Sequence, residues 1–207
     1  MEDSWESSRR SGLSAARLPP PRAPTVSGAL FTRRPKCFRC GDFVFGRDAK
    51  AKRTKRSQGL ARLYGHFLMD ELKPYIDRKY RTKRSPEFTG LGGSSLGGLV
   101  TLAIGILYPH AFSRLMVMSP SIWWDNFAIY RLVDSIEQKP PLRIWLDTGT
   151  AETGWEQARE LRNRLIEKGW KLRKDIQYME AQRADHSEAA WAARVEPALR
   201  FLFPSAK

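Results

Sequence analysis

Gly92-Gly93-Ser94-Ser95-Leu96-Gly97-Gly98 lies between two apolar segments, "EFTGL" (87–91) and "LVTLAIGILY" (99–108). A flexible linker is not expected between two pieces of buried core, so glycines packed around two serines mark a turn under steric control. The first flank reads as a short strand. The second, apolar on all sides from 96 to 108, reads as a buried helix. Within the turn, Gly93-Ser94-Ser95-Leu96-Gly97 fits G-x-S-x-G, the strand-turn-helix that raises a nucleophilic serine. Ser95 would be that nucleophile and Ser94 its neighbour. The backbone N–H of Leu96, at the positive end of the helix dipole, would face a developing oxyanion.

Downstream the chain keeps alternating strand and helix. "SRLMVMS" (113–119), "LRIWLD" (142–147) and "KDIQYMEA" (174–181) are strand candidates. Trp155, Ala158, Leu161 and Leu165 form one helix face that ends near Gly169, and 187–203 is a last helix containing Pro197. Upstream, Leu60, Leu63, Tyr64, Phe67, Leu68, Leu72, Tyr75 and Ile76 recur at helical spacing, predicting a helix with one apolar face. The fold class this implies is α/β, a mostly parallel sheet with helices on both faces. A hydrophobic content of 42% in 207 residues is enough for one such core.

Residues 1–58 have a different character. They carry "LPPPRAP", "RRPK" and "KAKRTKR" and no sustained period, with only the short "DFVF" as a strand candidate, so they read as a disordered or non-homologous basic arm. The charge is concentrated there. Residues 1–60 hold 14 Lys and Arg against 5 Asp and Glu, a net +9, and the rest of the chain 22 against 17, a net +5. The overall +14 therefore does not describe a basic binding face on the domain; a nucleic-acid-binding protein using the arm is the less favoured alternative. Cys37 and Cys40 form one C-x-x-C without a second ligand pair and are read as free thiols. No apolar run long enough to span a bilayer and no secretory leader stands out, so no membrane partner and a cytoplasmic location are expected.

Two more groups suit the chemistry of an activated serine. His186, in "RADHSEAAW", stands between the last strand and the last helix, where a parallel sheet gathers its catalytic groups. It would take the proton of Ser95 and return it to the leaving alcohol. For the acid that orients it, "LDTGTAE" offers both Asp147 and Glu152, in the chain order Ser, acid, His that the elbow motif requires.

Taken together, "GLGGSSLGGL", "SPSIWWDN", "GTAE" and "DHSEAAW" resemble the putative esterases of the esterase D and enterochelin-esterase-like group, over about residues 60–203. That resemblance implies an α/β-hydrolase fold and hydrolysis of carboxylic esters without metal or organic cofactor. It implies Glu152 as the triad acid and places Trp123 and Trp124 near the substrate pocket. Siderophore, feruloyl or carbohydrate, and short acyl esters are the substrate classes it leaves open. It also implies further strands and a second oxyanion donor before the helix at 60–76, for which residues 1–58 show no counterpart. The domain expected is thus the C-terminal part of an esterase (59–207), truncated and catalytically impaired if that donor is absent. An uncovered sheet edge would favour self-association.

Overall fold

A computed structural model describes residues 29–31 and 57–204. They form a parallel sheet in the order β1 (Ala29–Phe31), β2 (Gly90–Ser94), β3 (Arg114–Met118), β4 (Arg143–Gly149) and β5 (Ile176–Ala181). The register runs without a break, Leu91 opposite Leu115, Leu115 opposite Ile144, and Ile144 opposite Ile176. The helices are α1 (Ser57–His66), α2 (Lys73–Lys79), α3 (Leu96–Leu107), α4 (Trp124–Asp134), α5 (Glu156–Glu167) and α6 (Glu188–Leu202).

Alternation along the strands divides the core between two faces. Leu115, Val117, Ile144 and Leu146 pack with Leu99, Leu102, Ile129, Leu161 and Leu165 from α3, α4 and α5. Met116, Met118 and Trp145 point the other way, onto Ala198 and Leu202 of α6. Helices on both faces of a parallel sheet are the expected α/β architecture. No helix among the described residues is long and apolar enough to cross a membrane.

Several elements differ in detail from the sequence expectation. Pro86–Phe88 is a 3-10 turn, and β2 runs through the glycines themselves to Ser94, because Phe203 and Met116 fill the space beside Gly90 and Gly92. The helix after residue 57 does not present one apolar stripe. Ala61 and Leu68 are buried, but Leu63, Phe67 and Tyr75 are 65%, 42% and 48% exposed. Phe67–Leu72, between α1 and α2, is π-helical, and its wider turn puts the positions after it out of step with a 3.6-residue stripe; Leu63, before it, is exposed as well. β1 falls inside the stretch read as an aperiodic arm; three residues are too few to show a period. Cys37, Cys40, "DFVF" and the basic runs lie outside the described residues.

α5 stops as expected. The N–H groups of Gly169 and Trp170 turn back to the carbonyls of Ile166 and Leu165 at 2.9 and 3.1 Å, and the Trp170 side chain is buried. At its N-terminus α6 is capped by Ser187, whose Oγ accepts from the Ala190 N–H.

Candidate active site

The C-terminal ends of β2 to β5 carry Ser95, Ser119–Ser121, Glu152 and the loop to His186 respectively, all at one edge of the sheet.

Ser95 stands between the last residue of β2 and the first of α3, with φ 58° and ψ −125°. A non-glycine residue held there costs about 1–3 kcal/mol and persists only if its surroundings fix it. The fixing contacts are backbone ones. Ser95 N–H donates to the Met118 carbonyl (2.9 Å), and its own carbonyl accepts from Ser121 N–H (3.1 Å) and Leu99 N–H (3.1 Å). The turn is also closed too tightly for a side chain at Gly93, where a Cβ would lie 2.6 Å from the carbonyl carbon of Gly97. Leu96 opens α3, so its N–H belongs to the first turn, whose amides have no intrahelical acceptor.

The Ser95 side chain is partly exposed, and its Oγ lies 3.1 Å from the Oγ of the buried Ser121. Next come Trp123, 55% exposed, and Trp124, whose indole nitrogen is buried without a partner among the described residues; their ring centroids are 5.4 Å apart.

The acid and the histidine come from loops joined to each other by backbone. Thr150 N–H donates to the Ala181 carbonyl and Ala151 N–H to that of Ala184, while Arg183 N–H donates to Thr150 Oγ1. Gly149 allows this approach, since a Cβ there would run into the Ala184 carbonyl. The result places Glu152 Oε2 2.8 Å from His186 Nδ1. Glu152 is nearly buried, its side chain 8% exposed, whereas that of His186 is 44% exposed and lies edge-on to Trp191, 4.9 Å between centroids. The other carboxylate oxygen, Oε1, accepts from Gly149 N–H (2.7 Å) and Ser119 Oγ (2.6 Å).

Asp147, the alternative acid in the sequence, is fully buried and bonded to groups other than the imidazole. Its oxygens take the Trp145 indole N–H (2.6 Å), Ser119 N–H (3.2 Å) and the Arg194 guanidinium (3.1 Å). Burial pushes this carboxyl above the usual carboxylate range, against the pull of Arg194 and of the indole and amide donors. Arg194 itself, 3% exposed on α6, also donates to Ser119 Oγ (3.0 Å).

Of the residues singled out in the sequence, the structure joins Glu152 with His186. Ser95 is bonded through its side chain to Ser121, and no hydrogen bond links it to His186 among the described residues. Sequence reasoning missed Ser119, Ser121, Trp191 and Arg194. The signal for Arg194 was present: Trp191, Arg194, Ala198 and Leu202 follow one helical stripe, and a charge within such a stripe marks a buried partner. No group of three or more His, Cys, Asp or Glu side chains among the described residues is arranged to hold a metal ion.

Comparison with known proteins places these residues in context. The model of a family described as putative esterase matches residues 37–202. The ferri-bacillibactin esterase BesA of Bacillus subtilis (strain 168) is 33% identical over 117 residues, covering 52% of this chain and 40% of that protein. The iron(III) enterobactin esterase of Dickeya dadantii (strain 3937) is 37% identical over 59 residues, covering 28% of this chain and 14% of that protein. In these matches the chain spans less than two thirds of its relatives' length. Among solved structures, the enterobactin esterase FES from Shigella flexneri superposes with TM-score 0.61 at 22% identity, over 68% of this chain and 38% of that one. The BES protein from Bacillus cereus does so with TM-score 0.61 at 24% identity, over 79% and 62%. At these identities the structural likeness is one of fold.

Proposed function

Because the chain belongs to the putative esterase family, we propose that it hydrolyses a carboxylic ester through an acyl-enzyme on Ser95, with His186 as general base and Glu152 as the acid that orients it. The observation that carries this reading is the meeting, at one sheet edge, of a serine on a strained turn with a Glu152–His186 pair at 2.8 Å.

With Glu152 accepting from Nδ1–H, the His186 Nε2 is the nitrogen left to act as a base. For this the Ser95 hydroxyl must leave Ser121 and turn to Nε2. Attack on the ester carbonyl then passes the Ser95 proton to His186, and the carbonyl oxygen becomes an anion facing the Leu96 N–H. Collapse expels the alcohol, which takes the proton back from His186. Water repeats the sequence to release the acid and restore Ser95.

Trp123 suggests what the ester looks like. An exposed indole two residues beyond Ser121 offers a flat apolar face, suited to an aromatic ring on the substrate. FES was crystallised with 2,3-dihydroxy-N-benzoyl-glycine, and a further structural neighbour, with TM-score 0.57, is a ferulic acid esterase. Both names carry an aromatic ring on the acid side, so siderophore-type and feruloyl esters are the first substrates to try, ahead of short acyl esters.

Intact-mass measurement after fluorophosphonate treatment tests the reading. We expect one adduct on the parent chain and none on Ser95→Ala, with parallel loss of p-nitrophenyl ester hydrolysis. A folded parent that takes up no label, or a Ser95→Ala chain that still does, would rule it out.

A further inference from the structure

We propose that Arg194 and Ser119 are positioning residues that set the orientation of the Glu152 carboxylate, with Asp147 as the counter-charge that holds the cation in place; this rests on the triad reading above. A guanidinium only donates. Since Ser119 Oγ accepts from Arg194 Nη2 at 3.0 Å, its own proton must go elsewhere, and the acceptor at 2.6 Å is Glu152 Oε1. Arg194 thereby fixes the direction of the Ser119 hydroxyl. With Gly149 N–H as a second donor to Oε1, that oxygen is occupied and Oε2 is left for His186 Nδ1–H. The series Arg194, Ser119, Glu152, His186 so determines which imidazole nitrogen carries the proton.

Asp147 accounts for the cation's place. Arg194 Nη2 is 4.0 Å from Glu152 Oε1 but 3.1 Å from Asp147 Oδ1. A guanidinium in direct contact with Glu152 would compete with the imidazolium that the carboxylate must stabilise. Asp147, anchored by Trp145 and the Ser119 amide, holds it back. Stability alone does not explain the pair, because buried ion pairs are often matched or exceeded by apolar residues of similar volume. The fit is also incomplete: Nε and Nη1 of Arg194 are buried without an acceptor among the described residues. Apolar side chains at 147 and 194 together would avoid that cost, so the pair is explained by what Arg194 Nη2 orders. Ser119 shares in the strain. Its φ of 40° is what turns its Oγ between α6 and the acid loop, while its amide stays bonded to Asp147.

The test is Ser119→Ala, which removes the hydroxyl and leaves the Asp147–Arg194 pair intact. Two signals are read: kcat and KM for a p-nitrophenyl ester, and the low-field proton resonance of His186 Nδ1–H, assigned by its disappearance in His186→Gln. Ser119→Ala should lower kcat about ten- to a hundredfold, the size of one hydrogen bond to a charged group, with KM unchanged. The resonance should broaden into solvent exchange. Arg194→Lys, which keeps a buried donor, should retain more of both signals than Arg194→Met. A Ser119→Ala chain with parental kcat and a parental resonance, even at lower Tm, would overturn the proposal, as would equal losses in Arg194→Lys and Arg194→Met. Failure of the triad reading looks different: turnover survives in Ser95→Ala while the resonance still responds to Ser119→Ala.

Discussion

The two halves of the candidate site are held by different means. Ser95 is positioned almost entirely by backbone: a turn closed on Gly97, an amide given to Met118, a carbonyl taken by Ser121. Glu152 and His186 are positioned by side chains, through Ser119, Arg194 and Asp147, on loops tied together by amides. Backbone sterics leave a signature in a short run of sequence. A side-chain network assembled from β4, the loop after β3 and α6 does not, because Ser119 lies 28 residues from Asp147 and 75 from Arg194 along the chain.

The side-chain half should be the easier to disable without unfolding. On the proposed mechanism, replacing Glu152 with Gln keeps its shape but removes the charge that would orient the imidazole and stabilise its cation, and should cost about 10⁴-fold in kcat with little change in Tm. Steady-state rates beside a thermal melt check this; a loss of under tenfold would place the acid elsewhere. Arg194→Met is the next largest, this time in stability, because Asp147 is left as an uncompensated buried charge. The expected loss at neutral pH is about 3–5 kcal/mol in urea unfolding. Its pH dependence has a definite sign. The folded carboxyl of Asp147 already lies above its unfolded value, so its contribution favours the fold below the unfolded pKa and is lost as pH rises through the folded one. Without Arg194 that contrast widens, and the variant should regain stability on acidification relative to the parent.

The backbone half should fail differently. Gly93→Ala forces a Cβ to within 2.6 Å of the Gly97 backbone and should cost about 1–3 kcal/mol while abolishing fluorophosphonate labelling, since the turn must open. A variant that melts lower yet labels at the parental rate would show that the turn tolerates opening. The smallest effect lies away from both halves. Glu180 is held below the usual carboxylate range, first by its paired hydrogen bonds with Arg159 at 2.8 and 2.9 Å and then by the Tyr178 hydroxyl. That contribution is present above the unfolded pKa of Glu180 and is lost as pH falls through its lower folded value. Arg159→Ala should therefore change Tm little and make its decline on the acid side shallower, with Ser95 labelling unaffected. A large drop in Tm at neutral pH would mean the pair supports more of β5 than a surface ion pair usually does.

Much of the fold could be read before any coordinates. β3 and β4 fall in the apolar runs at 113–119 and 142–147, β4 extending two residues further, because strands buried in a parallel sheet are apolar runs bounded by turn residues; β5, at the sheet edge, falls within the mixed segment 174–181 and buries Ile176. α3, α5 and α6 begin and end near their expected positions. The helical stripe at 60–76 misled in part, since the π-helical turn at Phe67–Leu72 is wider than the 3.6-residue period on which the stripe was read. α4 opens on left-handed Asp125, Asn126 and Phe127, with Arg131 donating to the Asn126 and Asp125 carbonyls. Asp and Asn visit that conformation singly, but local propensity does not foretell three such residues in succession ending on Phe127.

What the sequence by itself determined is the elbow. Glycines at 93 and 97 around Ser95, between an apolar strand and an apolar helix, allow few backbone paths, because close approach excludes every residue with a Cβ at the tightest point. Between Asp147 and Glu152, spacing left the acid open, and only the tertiary structure decided which faces the imidazole. Asp147 lies within β4 and Glu152 three residues beyond its end, and the outcome turned on burial. Arg194, arriving from α6, claimed Asp147 inside the sheet–helix layer, and Gly149 let the histidine loop close over Glu152. Charge pairing across long sequence separations follows from how the layers pack, and packing is a property of the whole chain.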